Sequence, residues 1–159
     1  MHINPDHYLQ TCSGRLWTAE RNQQAWQYAY RALDQTLNDK VIANVYLLIG
    51  AQGSGKSTWV RCEGSAEHSV FFDAILVKRS ERAEVLSRIK PHGVATVAVW
   101  LQTPLTVCLD RNSKRPVDEL VSEQALRNVY ASLEPPTLSE GFQSILEVPF
   151  CQTATAPML

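Results

Sequence analysis

Five apolar residues in unbroken succession, Val45 to Ile49, run directly into Gly50-Ala51-Gln52-Gly53-Ser54-Gly55-Lys56-Ser57-Thr58, which has no side chain larger than alanine on its apolar list. A short continuous run of this kind is the pattern of a strand covered on both faces of a parallel sheet. Ser69 to Asp73 and Val94 to Leu101 repeat it, and Ser144 to Val148 predicts a short last strand. Between these runs the period changes to three or four. Ala19, Ala25, Trp26, Ala29, Tyr30, Leu33 and Leu37 share one helical face, with Thr18 as N-cap and Asn38-Asp39-Lys40 as the close. A helix from Lys56 stops near Glu63 before Gly64-Ser65, and another runs from Ser80 to Ile89, where Lys90-Pro91-His92-Gly93 ends it. Thr103-Pro104 has the form of an N-cap with proline at the first helical position, starting a helix that turns Leu105, Val107, Cys108 and Leu109 inward. Asp118 to Leu133 predicts a further helix resting on Val121, Ala125, Leu126, Val129 and Tyr130, ended by Pro135-Pro136. Residues 3–8 read as an Asx-type turn at a mobile terminus, and the tail from Gln152 as loose.

The abrupt polar stretch carries the chemistry. Gly50, Gly53, Gly55, Lys56 and Ser57 fit G-x-x-x-x-G-K-[ST] without a mismatch. Glycines let backbone N–H groups turn inward around phosphate oxygens and let those oxygens come close. The helix that follows adds its positive N-terminal end, Lys56 reaches the β- and γ-phosphates, and the Ser57 hydroxyl suits Mg²⁺. The expected nucleotide contacts are therefore Gly50, Gln52, Gly53, Ser54, Gly55, Lys56, Ser57 and Thr58. Asp73 closes the next strand. In an open α/β sheet that carboxyl end faces the ligand, so Asp73 is expected to share the metal with Ser57 as a Walker-B-type acid. The whole pattern predicts an α/β fold of the P-loop NTPase type, a three-layer sandwich whose mostly parallel sheet has helices on both faces. It forms a single domain over 1–159: an N-terminal segment and long helix (1–40), the phosphate-loop core and lid (41–150), and the tail (151–159).

Composition narrows the class without changing it. With 45% apolar and 19% charged residues the chain is a globular type that can bury one sizeable core. No apolar run approaches membrane-spanning length and the first residues lack an export pattern, so a cytoplasmic protein is expected. Cys12, Cys62, Cys108 and Cys151 form no C-x-x-C pair, which argues for reduced, mostly structural thiols and against a structural metal. The formal charge is −1, yet residues 78–115 hold eight of the fifteen Lys and Arg, a stretch that either faces an anionic substrate or is merely solvated. Residues 116–159 hold six Asp and Glu against one Arg. No N-K-x-D segment follows the third strand, so the guanine-reading device of GTPases is absent.

Cys108-Leu-Asp-Arg-Asn-Ser-Lys-Arg-Pro-Val117, followed by residues 133–148, resembles the kinase domain of 5′-hydroxyl polynucleotide kinases and the wider P-loop kinase group that includes zeta-toxin-like proteins. The likeness covers Val45 to Val148. It implies that Arg111 and Arg115 form a lid over the ATP phosphates, where guanidinium groups match the charge of the transferring oxygens. Asp73 with Arg79 and Arg82 is similar to the family's acid-then-arginine segment, with Ile75 and Leu76 in place of polar residues.

One family element is out of place. A segment of the type I-N-x-D-x-Y-R, which supplies the general base ahead of a long helix, normally lies between the phosphate-loop helix and the Asp73-type strand. That interval is too short here, whereas Ile3-Asn4-Pro5-Asp6-His7-Tyr8 followed by a long helix opens the chain. The resemblance thus implies a rearranged order with Asp6 as the base, although Leu9 stands where the family has an arginine on the substrate phosphate. The expected function is ATP- and Mg²⁺-dependent transfer of the γ-phosphoryl group to a hydroxyl, first of all a polynucleotide 5′-hydroxyl. Lys56, Asp6, Arg111 and Arg115 carry the chemistry. Two alternatives stay open: a kinase for a small acceptor such as a nucleoside or nucleotide sugar, and an ATP-binding regulatory module. Trp17, Trp26, Trp59 and Trp100 are either core residues or base-stacking platforms.

Overall fold

In a computed structural model, residues 1–64 and 66–151 are described. In chain order they form β1 (His2–Ile3), β2 (Gln10–Thr11), β3 (Gly14–Arg15), α1 (Ala19–Asp39), β4 (Asn44–Ile49), α2 (Lys56–Glu63), β5 (Ser69–Asp73), α3 (Arg79–Ile89), β6 (Ala95–Gln102), α4 (Leu105–Ser113), α5 (Glu123–Ala131) and β7 (Ser144–Pro149). Five strands make a sheet in the order β1-β5-β4-β6-β7, every pair parallel. β2 and β3 form a separate antiparallel hairpin.

The central strand β4 shows why both faces are apolar. Val45, Leu47 and Ile49 point into a core shared with Ala29, Leu33 and Leu37 of α1 and with Val85, Leu86 and Ile89 of α3. Leu48 points the other way, to Val60 of α2 and Phe71 of β5, with Tyr46 and Trp59 packed alongside. Side chains alternate across a strand, so a run apolar at every position can be satisfied only by helices on both faces. A smaller cluster of Ala51, Cys108 and Leu126 seats α4 and α5 beside the loop after β4.

Several expectations are corrected at element ends. The Asx turn forms, with Asn4 Oδ1 accepting from the Asp6 N–H, but the terminus before it is anchored: His2 and Ile3 pair with Phe71 and Phe72, making β1 an edge strand, and Ile3 is buried. Asn4 then N-caps a 3₁₀ turn over Pro5–Leu9. Thr103 does not cap α4, whose N-cap is Pro104. The Thr103 hydroxyl is buried and donates instead to the Ser54 carbonyl at 2.8 Å, since it lies under the phosphate loop and that carbonyl needs a donor. α5 starts at Glu123 rather than Asp118: Pro116 imposes a 3₁₀ turn over Val117–Glu119, and Ser122 supplies the cap through its hydroxyl to the Ala125 N–H. Ala125 is consequently exposed, and Leu126 anchors the helix. The tail from Gln152 lies outside the described residues.

Cysteine and tryptophan roles also separate. Only Cys108 is a buried thiol, while Cys12, Cys62 and Cys151 are exposed. Trp26 and Trp100 pack against one core cluster and Trp59 against the other, but Trp17 is 59% exposed. The basic stretch is divided in the same way. Arg82 is fully buried and holds Glu140 through Nε at 2.6 Å and Nη2 at 2.9 Å, and Arg88 pairs with Asp34 and Glu84. Neither faces the cleft, which leaves the lid arginines to do so.

Candidate functional site

A cleft of about 1300 Å³ opens at the carboxyl ends of β4 and β5. Its floor is the turn from Gly50 to Gly55. Gly53 and Gly55 take φ of +78° and +98°, the left-handed region that favours glycine. A Cβ on Gly53 would stand 2.7 Å from the Cys108 carbonyl oxygen, and one on Gly50 would stand 2.5 Å from Ser54 Oγ. Both space and backbone angle thus demand glycine. Buried in the same turn, Gln52 Oε1 and Ser54 Oγ have no partner among the described residues. A glycine turn with orphaned buried polar atoms at a helix start suits the oxygens of a nucleotide's phosphate chain.

Lys56 opens α2 and folds back so that Nζ donates to the carbonyls of Gly50 at 2.9 Å and Ala51 at 3.0 Å. Desolvation pushes its ammonium down, while the charges of Asp73 and Asp6 hold it up and that of Arg115 adds to the lowering; the net direction is down.

Asp73 is 2% exposed at the end of β5, and one of its oxygens, Oδ2, receives three donors: Ser57 Oγ at 2.6 Å, His2 Nε2 at 3.1 Å and Asn4 Nδ2 at 3.2 Å. Burial pushes the carboxyl up, but the His2 hydrogen bond, the Lys56 charge and the Ser57 hydroxyl outweigh it and hold the group below its ordinary value. A charged, oriented carboxylate next to a hydroxyl is a pair of hard oxygen donors. Among the described residues no group of three or more His, Cys, Asp or Glu could cage a metal ion. The hard oxygens of Asp73 and Ser57 fit a cation such as Mg²⁺, which takes one or two protein oxygens and completes its shell with water and phosphate.

Asp6 lines the cleft from the 3₁₀ turn after β1. Asn4 connects the two sides: its Oδ1 accepts from the Asp6 N–H at 2.8 Å while its Nδ2 donates to Asp73. The Asp6 carboxylate accepts from Arg15 Nη2 at 2.8 Å. Arg15 comes from β3, and its backbone N–H donates to Asp118 Oδ2 at 2.7 Å. Above the loop, Arg111 at the end of α4 donates from Nη1 to the Gly53 carbonyl at 3.0 Å and stands 5.7 Å from the Phe150 ring centre, while Arg115 lines the cleft beyond it. Thr58 also lines it, one residue after Ser57.

Of the expected site residues all but Gly50 line this one cleft, and so does Trp17, one of the four tryptophans open as core residues or stacking platforms, whereas Arg79 and Arg82 do not. His2, Asn4, Arg15, Asp118 and Phe150 were not foreseen. Asn4 alone had a signal, the Asn-Pro turn, whereas the others depend on which distant elements meet. Leu9 is fully buried, so position 9 belongs to the core and offers the cleft nothing.

A parallel α/β sheet flanked by helices, with a glycine-rich loop between its central strand and the next helix, is the P-loop NTPase fold. Residues 63–136 match the AAA_33 family model, described as an AAA domain, which makes the chain similar to P-loop kinase-like, nucleotide-binding domains over somewhat less than half its length. The matched part begins beyond the phosphate loop and includes Asp73, Arg111 and Arg115. None of the curated proteins matches the chain. No helix among the described residues is long and apolar enough to cross a membrane.

Proposed function

We propose that the protein transfers the γ-phosphoryl group of ATP to a hydroxyl, with a polynucleotide 5′-hydroxyl end as the first acceptor to test. The observation that supports this reading is that the Asp6 carboxylate lines the same cleft as Lys56, Ser57, Asp73, Arg111 and Arg115. A nucleotide-binding module needs the loop and the metal acid but has no use for a further carboxylate in the same cleft.

The roles follow from chemistry. The amides of Gly53, Ser54 and Gly55 cradle the phosphates, flanked by Gly50, Gln52 and Thr58, and the Lys56 ammonium moves from its carbonyl contacts to the β- and γ-oxygens. Ser57 and Asp73 hold the Mg²⁺, which when bound neutralises charge on those oxygens. Arg111 and Arg115 meet the charge that spreads over the transferring group. Asp6 accepts the hydroxyl proton, which is the task an aspartate performs in protein kinases. Asn4 sets the spacing between that base and the metal acid. Support for the rearranged order comes from the sheet: β1, which leads into Asp6, lies beside β5, which ends in Asp73. A parallel strand can be reached by a different connection without leaving its place.

A screen with γ-labelled ATP against 5′-hydroxyl oligonucleotides, nucleosides and nucleotide sugars tests the reading. Labelled acceptor is the expected product. ATP binding without any labelled product would leave the regulatory-module alternative, which draws on the Arg15 contact that occupies Asp6.

A further inference from the structure

His2 belongs to β1 and Asn4 follows it with the backbone still extended, so the two side chains leave the same side of the chain while Ile3 between them turns into the core. Both meet Asp73. His2 Nε2 lies 3.1 Å and Asn4 Nδ2 3.2 Å from Oδ2, and the Ser57 hydroxyl donates to the same oxygen at 2.6 Å. Oδ1 receives no donor among the described residues. The last torsion of an aspartate is broad, so a carboxylate holds one oxygen ready for a ligand only if something fixes the other. β1 does not need the His2 side chain to keep its place, because it is held by its register on Phe71 and Phe72, by the Phe71 N–H bond to the Met1 carbonyl at 2.8 Å and by the buried Ile3. The imidazole is free to serve the carboxylate. His7 aligns it, ring edge to ring face, with 5.2 Å between centres and 81° between planes. Unlike lysine or arginine, an imidazole supplies such a bond without setting a permanent positive charge beside a cation site.

Resting on the reading of Ser57 and Asp73 as the holders of Mg²⁺, we propose that His2 is a positioning residue of that site: its Nε2–H fixes the Asp73 carboxylate through Oδ2, leaves Oδ1 for the cation or a water of its shell, and so sets the affinity for Mg²⁺. His2 does not itself line the cleft, so its side chain acts through Asp73 and not on nucleotide or acceptor. The bond joins a side chain 28% exposed to one 2% exposed, and shelter of this kind strengthens a hydrogen bond to a charged group. Groups that orient the ligands of a metal are worth a factor of about 10 to 100 in its affinity. Loss of the imidazole therefore loosens the metal and spares the grip of the phosphate loop on the nucleotide, since Lys56 and the loop make no contact with His2.

The test follows the binding of a fluorescent ATP analogue, in EDTA and across a Mg²⁺ series, by wild type, His2→Leu and His2→Gln. Glutamine carries an Nε2 donor at the same number of bonds from Cα as the imidazole Nε2, and leucine carries none. Wild type is expected to bind the analogue more tightly as Mg²⁺ rises. His2→Leu keeps the affinity measured in EDTA, which certifies its fold, and needs roughly ten to a hundred times more Mg²⁺ to reach half of the gain. His2→Gln returns that midpoint most of the way. A midpoint that His2→Leu leaves in place, or that His2→Gln fails to restore, overturns the role of His2 while the metal assignment stands. Equal losses in EDTA and in Mg²⁺ overturn it as well, since they make His2 a part of the scaffold alone. Wild-type binding that ignores Mg²⁺ overturns the assignment of Ser57 and Asp73 themselves, and the role of His2 with it.

Discussion

At the scale of single residues, position rather than identity separates the aspartates of the cleft. Asp73 is buried and triply hydrogen-bonded, which suits a fixed metal ligand, whereas the side chain of Asp6 is 50% exposed and open to an acceptor. Asp6→Asn keeps the shape and removes the base, so turnover should fall by a factor of about 10² to 10⁴ with ATP affinity unchanged; steady-state kinetics that show unaltered kcat would remove Asp6 from the mechanism. Gly53→Ala should abolish nucleotide binding, since its methyl would meet the Cys108 carbonyl and its φ of +78° strains any other residue. Fluorescent-nucleotide titration of that variant checks it. The loop was legible because its signature is local: every residue of the motif lies within a few positions of Lys56. Arg15 was not, because its significance arises from Asp6 and Asp118, which the fold brings to it from opposite directions along the chain.

Among the elements, the segment leading to β7 is held to α3 by one buried ion pair. Arg82 is fully buried and its Nη1 also donates to the carbonyls of Leu76 and Val77, so the guanidinium ties the loop after β5 to Glu140. Burial pushes the Glu140 carboxyl up, but hydrogen bonds from Arg82 and the Thr137 N–H, with the Arg82 and Arg79 charges, hold it below its ordinary value. A carboxyl with a lowered folded pKa contributes its full stability above the unfolded value and loses it as the pH falls through the folded one. Stability should therefore drop in acid below the usual glutamate range, and Glu140→Gln should flatten that part of the profile. The same substitution leaves Arg82 buried without its charge partner and should cost about 3 to 5 kcal/mol in denaturant unfolding. The sequence shows Arg82 in a basic run and in the acid-then-arginine resemblance, and in neither does it reveal Glu140 as the partner. Element types were legible from apolar spacing, but ends were displaced wherever tertiary contacts chose the cap, as with Thr103 and the start of α5.

For the whole molecule, the sheet order β1-β5-β4-β6-β7 brings the first residues of the chain beside the acid that ends β5. A two-residue strand is too short to show periodicity, so its place was legible only through the resemblance of the segment after it. Ligand that binds only the folded state raises its stability: at about a hundred times Kd, Mg·ATP should lift Tm by roughly 5 to 10 °C, and removing Mg²⁺ with a chelator should remove most of that gain. Calorimetric titration of the protein with Mg·ATP tests the central claim most directly. A saturable isotherm with one nucleotide per chain, lost in Lys56→Ala, is the predicted result; heats that never saturate, or an isotherm that Lys56→Ala leaves unchanged, would contradict it.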